Sequence, residues 1–144
     1  MQTITVHATT APNFARCLTL AVLVLGSLCA PAVQAATPNE ILQGYTAQAG
    51  AAPVAARGQQ FFTTTHGKEW SCSTCHGAVP TSVGKHAATG KSITALAPAA
   101  NAERFTDPAK TEKWFRRNCN DVVGRECTAT EKADMLSWLL TVKP

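Results

Sequence analysis

Cys72-Ser73-Thr74-Cys75-His76 is the stretch on which the reading of this chain turns. Two thiols three positions apart, followed at once by an imidazole, form the pattern C-x-x-C-H, the attachment signature of a c-type haem. In that chemistry the thiols add across the vinyl groups of the porphyrin to give thioethers, and the histidine supplies nitrogen to the iron. The spacing suits the task, because thiols at this separation straddle one edge of the macrocycle while the next side chain turns beneath it. Two other uses of such a pair fit less well. A thioredoxin-like redox pair wants a strand before it, and the residues ahead of Cys72 carry no strand pattern. A zinc site would have to recruit Cys119 and Cys127, whose spacing serves tetrahedral ligation badly. The expectation is one haem c, attached covalently through Cys72 and Cys75 with His76 on the iron.

Working outward, the first 35 of the 144 residues look like a segment to be removed. Cys17 to Ala30 is an uncharged apolar run with Arg16 before it and the small-x-small site Val33-Gln34-Ala35 after it, the layout of a cleaved signal peptide. The run is too short for a membrane anchor, and Leu28 ahead of Cys29 argues against lipid attachment. The expected division is a signal peptide over 1–35 and a single haem domain over 36–144, exported to the periplasm. Removal takes Cys17 and Cys29 with the leader and leaves Cys72, Cys75, Cys119 and Cys127, an even number in an oxidising compartment. Of the 13 Lys and Arg, 12 remain with all 9 acids, a surplus of three scattered positive charges. No run of like charge stands out, so nucleic acid is excluded as a partner, while weak steering toward an acidic protein fits.

Caps and apolar spacing predict about four helices. The first follows the capping box Thr37-Pro38-Asn39-Glu40 and stops near Gly50, with Ile41, Leu42 and Tyr45 facing inward. A second starts around Pro53 and carries Val54, Gly58, Phe61 and Phe62. A third starts after Asp107 and runs through Trp114 and Phe115 to about Arg117, and a fourth follows the capping box Thr128 to Glu131 and reaches Val142. Between Gly77 and Thr106 the chain is rich in small and turn-forming residues with weak strand signals, and loops so long need something to pack on. Gly58 and Phe62 ahead of the haem motif, with Trp138 and Leu139 in a closing helix, resemble the class I cytochrome c pattern, in which helices cross at a glycine. The expected fold is therefore all-α, a small class I cytochrome c-like arrangement wrapped around the haem, with long irregular loops.

The other side of the iron is harder to read. The domain holds one methionine, Met135, in register with Trp138, Leu139 and Val142 on an apolar stripe, the setting of a core residue. His66 and His86 stand in polar stretches and read as surface histidines, and Lys85 and Lys91 would need to lose a proton before binding iron. The stretch from Arg116 to Cys127, RRNCNDVVGREC, is left. Its cysteines suit either a plain staple, worth roughly 2 to 3 kcal/mol as a closed loop, or a role at the haem. In the class I layout the segment before the last helix passes over the open face of the haem, and a carboxamide oxygen there would be a weak, replaceable ligand. Spacing does not decide between Asn118 and Asn120.

The whole of 36–144 resembles the sphaeroides haem protein family of high-spin c-type cytochromes. The likeness rests on Gly44-Tyr45, SCSTCHGA from Ser71 to Ala78, Leu96-Ala97-Pro98, RFTDPAKTEKWFRRNCNDVVGREC from Arg104 to Cys127 and EKADMLSWL from Glu131 to Leu139. It implies His76 and Asn118 as the two axial ligands and a disulfide between Cys119 and Cys127. It further implies that the asparagine leaves on reduction, opening the iron to oxygen or nitric oxide, and that a dihaem cytochrome c and a membrane b-type cytochrome deliver electrons. Trp114 and Phe115 are candidates for the wall of the ligand pocket, and Arg104, Arg116 and Arg117 for contacts to the haem propionates. Two rivals stay open: an ordinary low-spin electron carrier using Met135 or a histidine, and a small haem oxidoreductase that turns its ligand over, with Asp121 and Glu126 as the nearby titratable groups.

Overall fold

A computed structural model describes residues 35–144, together with the isolated Thr3. The expected signal peptide over 1–35 thus lies outside the described residues, Thr3 and Ala35 excepted. The described part is all-α apart from one short ladder: α1 (Pro38–Ala49), α2 (Ala55–Thr63), α3 (Cys72–His76), β1 (Gly84–Lys85), β2 (Ser92–Ile93), α4 (Pro108–Val122) and α5 (Ala129–Thr141). No helix among the described residues is long and apolar enough to cross a membrane.

Local signals start the long helices α1, α4 and α5. Thr37 accepts the N–H of Glu40 while the Glu40 carboxylate accepts the N–H of Thr37, with Pro38 at the first helical position. Asp107 accepts from the N–H of Lys110 ahead of α4, and Thr128 and Glu131 repeat the reciprocal arrangement ahead of α5. Helix α2 has no such device of its own. The N–H of its N-cap residue Val54 is served from a distance: the carboxylate of Asp134 in α5 accepts from it and takes a two-pronged ion pair from Arg57 at 2.6 and 3.0 Å.

The core forms where α1 and α2 pack on α5. Gly58 lies so close to α5 that an added Cβ would collide with the Asp134 carbonyl and stand 2.7 Å from the Met135 nitrogen, so the crossing requires glycine. Around it Phe62, Leu136 and Leu139 are fully buried, each worth roughly 1.5–3 kcal/mol of transfer free energy. The Phe62 and Trp138 rings meet at 4.9 Å. Helix α4 joins this core through Phe115, edge-on to Tyr45 at 5.5 Å. A partly buried polar cluster ties three helices together: Tyr45 donates to Glu112 at 2.9 Å, and the Lys132 ammonium donates to its other oxygen at 2.6 Å. Burial pulls the Glu112 carboxyl up, but hydrogen bonds from Lys132 and Tyr45 together hold it below the usual carboxylate range.

Three features differ from the sequence expectation. Helix α4 continues to Val122 instead of ending near Arg117, because Cys119 is drawn into the core and holds one more turn in place. The loop after the haem motif contains the antiparallel pair β1–β2, Gly84 opposite Ile93 and Lys85 opposite Ser92, too short to show a period of two. The motif itself is a fifth helix, α3.

Candidate haem site

The one-turn helix α3 is written into the residues around the two cysteines. Ser71, buried ahead of Cys72, accepts the N–H of Thr74, and the Thr74 hydroxyl accepts the N–H of Ser71, closing a capping box inside the motif. Gly77, at φ +77, turns the chain away while its N–H reaches the Ser73 carbonyl at 2.8 Å. Cys72 and Cys75 are thereby fixed one turn apart, both unpaired and half-buried. The next segment closes over this helix. Gly84 abuts the Cys75 carbonyl so tightly that no side chain fits there, and the N–H of Ala87 points at the Cys75 sulfur at 3.3 Å.

His76 is half-buried, its ring 6.2 Å from that of Phe62. Burial, with the positive charge of Arg104 added, pushes the imidazole down to about 4, so at neutral pH its nitrogen lone pair is free for a metal. Burial likewise pushes the Cys72 thiol up to about 11. That is opposite to a redox-active C-x-x-C pair, which depends on a stabilised thiolate. Two unpaired thiols one helical turn apart and a neutral imidazole fit the attachment chemistry of haem c. Arg104 supports this region by bonding the loop above it, donating to the carbonyls of Thr94 and Ala95 at 2.8 and 2.9 Å. A cleft of about 540 Å³ between α1 and the start of α4 contains no residue of α3 and is set apart from this chemistry.

The remaining candidates are spread over α4, α5 and the loops. Asn118 is exposed in its penultimate turn, one helical turn from the exposed Trp114, and its carboxamide makes no hydrogen bond among the described residues. Asn120, by contrast, spends its amide on the Arg116 carbonyl at 2.8 Å. Arg117 lies over the Trp114 ring at 5.6 Å, whereas Phe115 points into the core, away from the pocket wall expected of it. Cys119 and Cys127 are joined, Cα atoms 5.6 Å apart, both buried between the end of α4 and the start of α5. Met135 is 5% exposed within the core. His66 stacks on Phe61 at 4.2 Å and donates to its carbonyl, and His86 accepts from the N–H of Thr89. Asp134, Arg57 and Lys132 were not singled out by sequence, since their partners lie between 20 and 80 positions away.

A haem-attachment turn set beside a glycine-mediated helix crossing is the arrangement of a c-type cytochrome. The cytochrome c-type protein SHP of Cereibacter sphaeroides is 50% identical over 123 residues, which cover 81% of this chain and 95% of the relative. This chain belongs to the family of that sphaeroides haem protein, whose members carry covalently bound haem c. The structure of oxidised SHP, described as an oxygen-binding cytochrome c, matches with a TM-score of 0.69 at 50% identity over 73% of this chain and 96% of its own. Cytochrome c'' of Methylophilus methylotrophus is 48% identical over 80 residues, 56% of each chain, and its oxidised crystal structure matches with a TM-score of 0.66 at 38% identity over 74% of this chain and 95% of its own. Residues 48–139 also match a family model described as a domain of unknown function, DUF1924.

Proposed function

We propose that this chain is a periplasmic monohaem cytochrome of high-spin type that binds oxygen or nitric oxide when reduced. Cys72 and Cys75 would hold the haem through thioethers, His76 would supply the lasting nitrogen donor to its iron, and Asn118 would supply a weak, replaceable oxygen donor. When bound, the haem supplies an iron that accepts one electron and takes up a diatomic ligand. A donor protein gives that electron and is itself oxidised by one; a dihaem cytochrome c and a membrane b-type cytochrome are the proposed donors. Residues 1–35 direct export, and 36–144 form the working domain.

The observation that carries the reading is the contrast between the two asparagines. Asn118 holds its carboxamide free on the outer face of α4, beside Trp114, while that of Asn120 is tied to its own helix. A neutral oxygen donor suits ferric better than ferrous iron, so one-electron reduction loosens it. The core position of Met135 and the local hydrogen bonds of His66 and His86 support this over a low-spin carrier. The test is the optical and resonance Raman spectrum of the reduced holoprotein with and without carbon monoxide. A five-coordinate high-spin ferrous spectrum that shifts on adding carbon monoxide is expected, with an altered ferric spectrum in Asn118→Ala. A six-coordinate low-spin ferrous spectrum indifferent to carbon monoxide would sink the proposal.

A further inference from the structure

Helices α1 and α2 pack directly on α5, whereas α4 stands further off and is held by side chains. Its buried row is Thr111, Phe115 and Cys119. At about 100° per residue, Asn118 stands about 60° to one side of Phe115 and Glu112 about 60° to the other. The cleft between α1 and the start of α4 opens beside Glu112, with Tyr45, Pro108 and Ala109 in its walls, so packing does not fix this flank. Among the described residues Glu112 is the only side chain of α4 hydrogen-bonded to another helix, and its two oxygens go to two of them, Tyr45 of α1 and Lys132 of α5. Lys132 is buried and also lies over the Tyr45 ring at 5.5 Å, which leaves the three groups little freedom to change partners. The other fixed point is the Cys119 sulfur, about 10 Å further along the helix at 1.5 Å per residue.

Resting on the function proposed above, we infer that Glu112, gripped by Tyr45 and Lys132, locks α4 against rolling about its own axis and is thereby a positioning residue for Asn118. A helix tied only at Cys119 can roll and tilt about that bond, with the cleft to move into. A second tie on the opposite flank fixes the direction in which the Asn118 carboxamide points. Little affinity is available from a weak donor to pull a helix into place, so its aim has to be built in beforehand.

The test uses the full holoprotein with Tyr45→Phe, which cuts the tie to α1, and Lys132→Met, which cuts the tie to α5; Glu112 is 41% exposed and is left partly in water by either change. Cyanide affinity of the ferric protein reads competition with Asn118. Each variant is expected to bind cyanide about tenfold more tightly, the weight of one hydrogen bond to a charged group. Carbon monoxide affinity of the reduced protein is expected to stay near wild type, because reduction has already loosened Asn118. Hydrogen exchange read by mass spectrometry is expected to quicken in α4 and not in α2. In an Asn118→Ala background, Tyr45→Phe is expected to add nothing to cyanide affinity. Where Asn118→Ala alone strengthens cyanide binding, the inference is overturned by unchanged affinity in both variants, by an equal change in carbon monoxide affinity, or by a Tyr45→Phe effect that persists without Asn118. If Asn118→Ala alters neither the ferric spectrum nor cyanide affinity, the function proposed above falls, and α4 exchange alone then upholds or overturns the lock.

Discussion

Cys72 and Cys75 lie on a single helical turn, half-buried and unpaired; Cys119 in α4 and Cys127, eight positions on in the loop before α5, are buried and joined. The same side chain thus serves two ends within one small domain, and neighbouring residues decide which. The first pair is held by Ser71 and Thr74 with His76 immediately after it, so both sulfurs stay at one edge of a surface turn. The second pair is surrounded by core residues and stitches α4 to α5 just before the Thr128 cap. Spacing alone does not separate an attachment pair from a staple; the hydrogen bonds flanking each pair do.

The sharpest way to break this contrast is to remove the first pair. Cys72→Ala/Cys75→Ala is expected to lose covalent haem completely, so that acidified butanone extracts all pigment from the variant and none from the wild type. Removing the second pair is expected to do something different in kind. Cys119→Ser/Cys127→Ser retains covalent haem but loses roughly 2–3 kcal/mol from a cross-link closing so short a loop. For a domain of this size that lowers the melting temperature by roughly 10 °C, read by circular dichroism. The smallest effect concerns the cap that follows the staple. Arg125 grips the Glu131 carboxylate at 2.7 and 2.8 Å and, with the Thr128 cap, holds it below its usual range. An acid with a depressed folded value stabilises above its unfolded value and loses that contribution as pH falls through the folded one. Stability is thus expected to drop below about pH 4.3, the ordinary glutamate value, and Glu131→Gln to flatten part of that drop. At neutral pH the same variant costs less than about 1 kcal/mol, because Arg125 is half in solvent.

Much of this architecture was legible because its causes are local. Thr37, Asp107 and Thr128 announce their helices by satisfying N–H groups three residues on, and C-S-T-C-H carries its chemistry in adjacent side chains. Gly58 could be read as a crossing point because, with Phe62, Trp138 and Leu139, it resembles the class I cytochrome c pattern, and it does lie against the Asp134 carbonyl. The far end of α4 was misplaced for the converse reason: Asn118 and Asn120 suit a helix terminus, and what prolongs the helix is a sulfur bonded to a residue beyond the turn. Asp134 was missed because an acid in the middle of an apolar stripe gives no sign of its partners, Val54 and Arg57, which precede it by 80 and 77 positions. The β1–β2 ribbon was missed because two residues per strand give no alternation to count.

The crossing of α2 and α5 bears on the order in which the molecule can be assembled. Helix α2 owes its capping carboxylate, the wall against Gly58 and the ring beside Phe62 to residues that emerge from the ribosome last. A chain that ends before α5 has none of them, so enclosure of the core waits for the C-terminus, as non-local contacts impose. The cysteine pair of α3 has its capping partners, Ser71 and Thr74, beside it in the chain, so the spacing of the two thiols does not wait for the last helix.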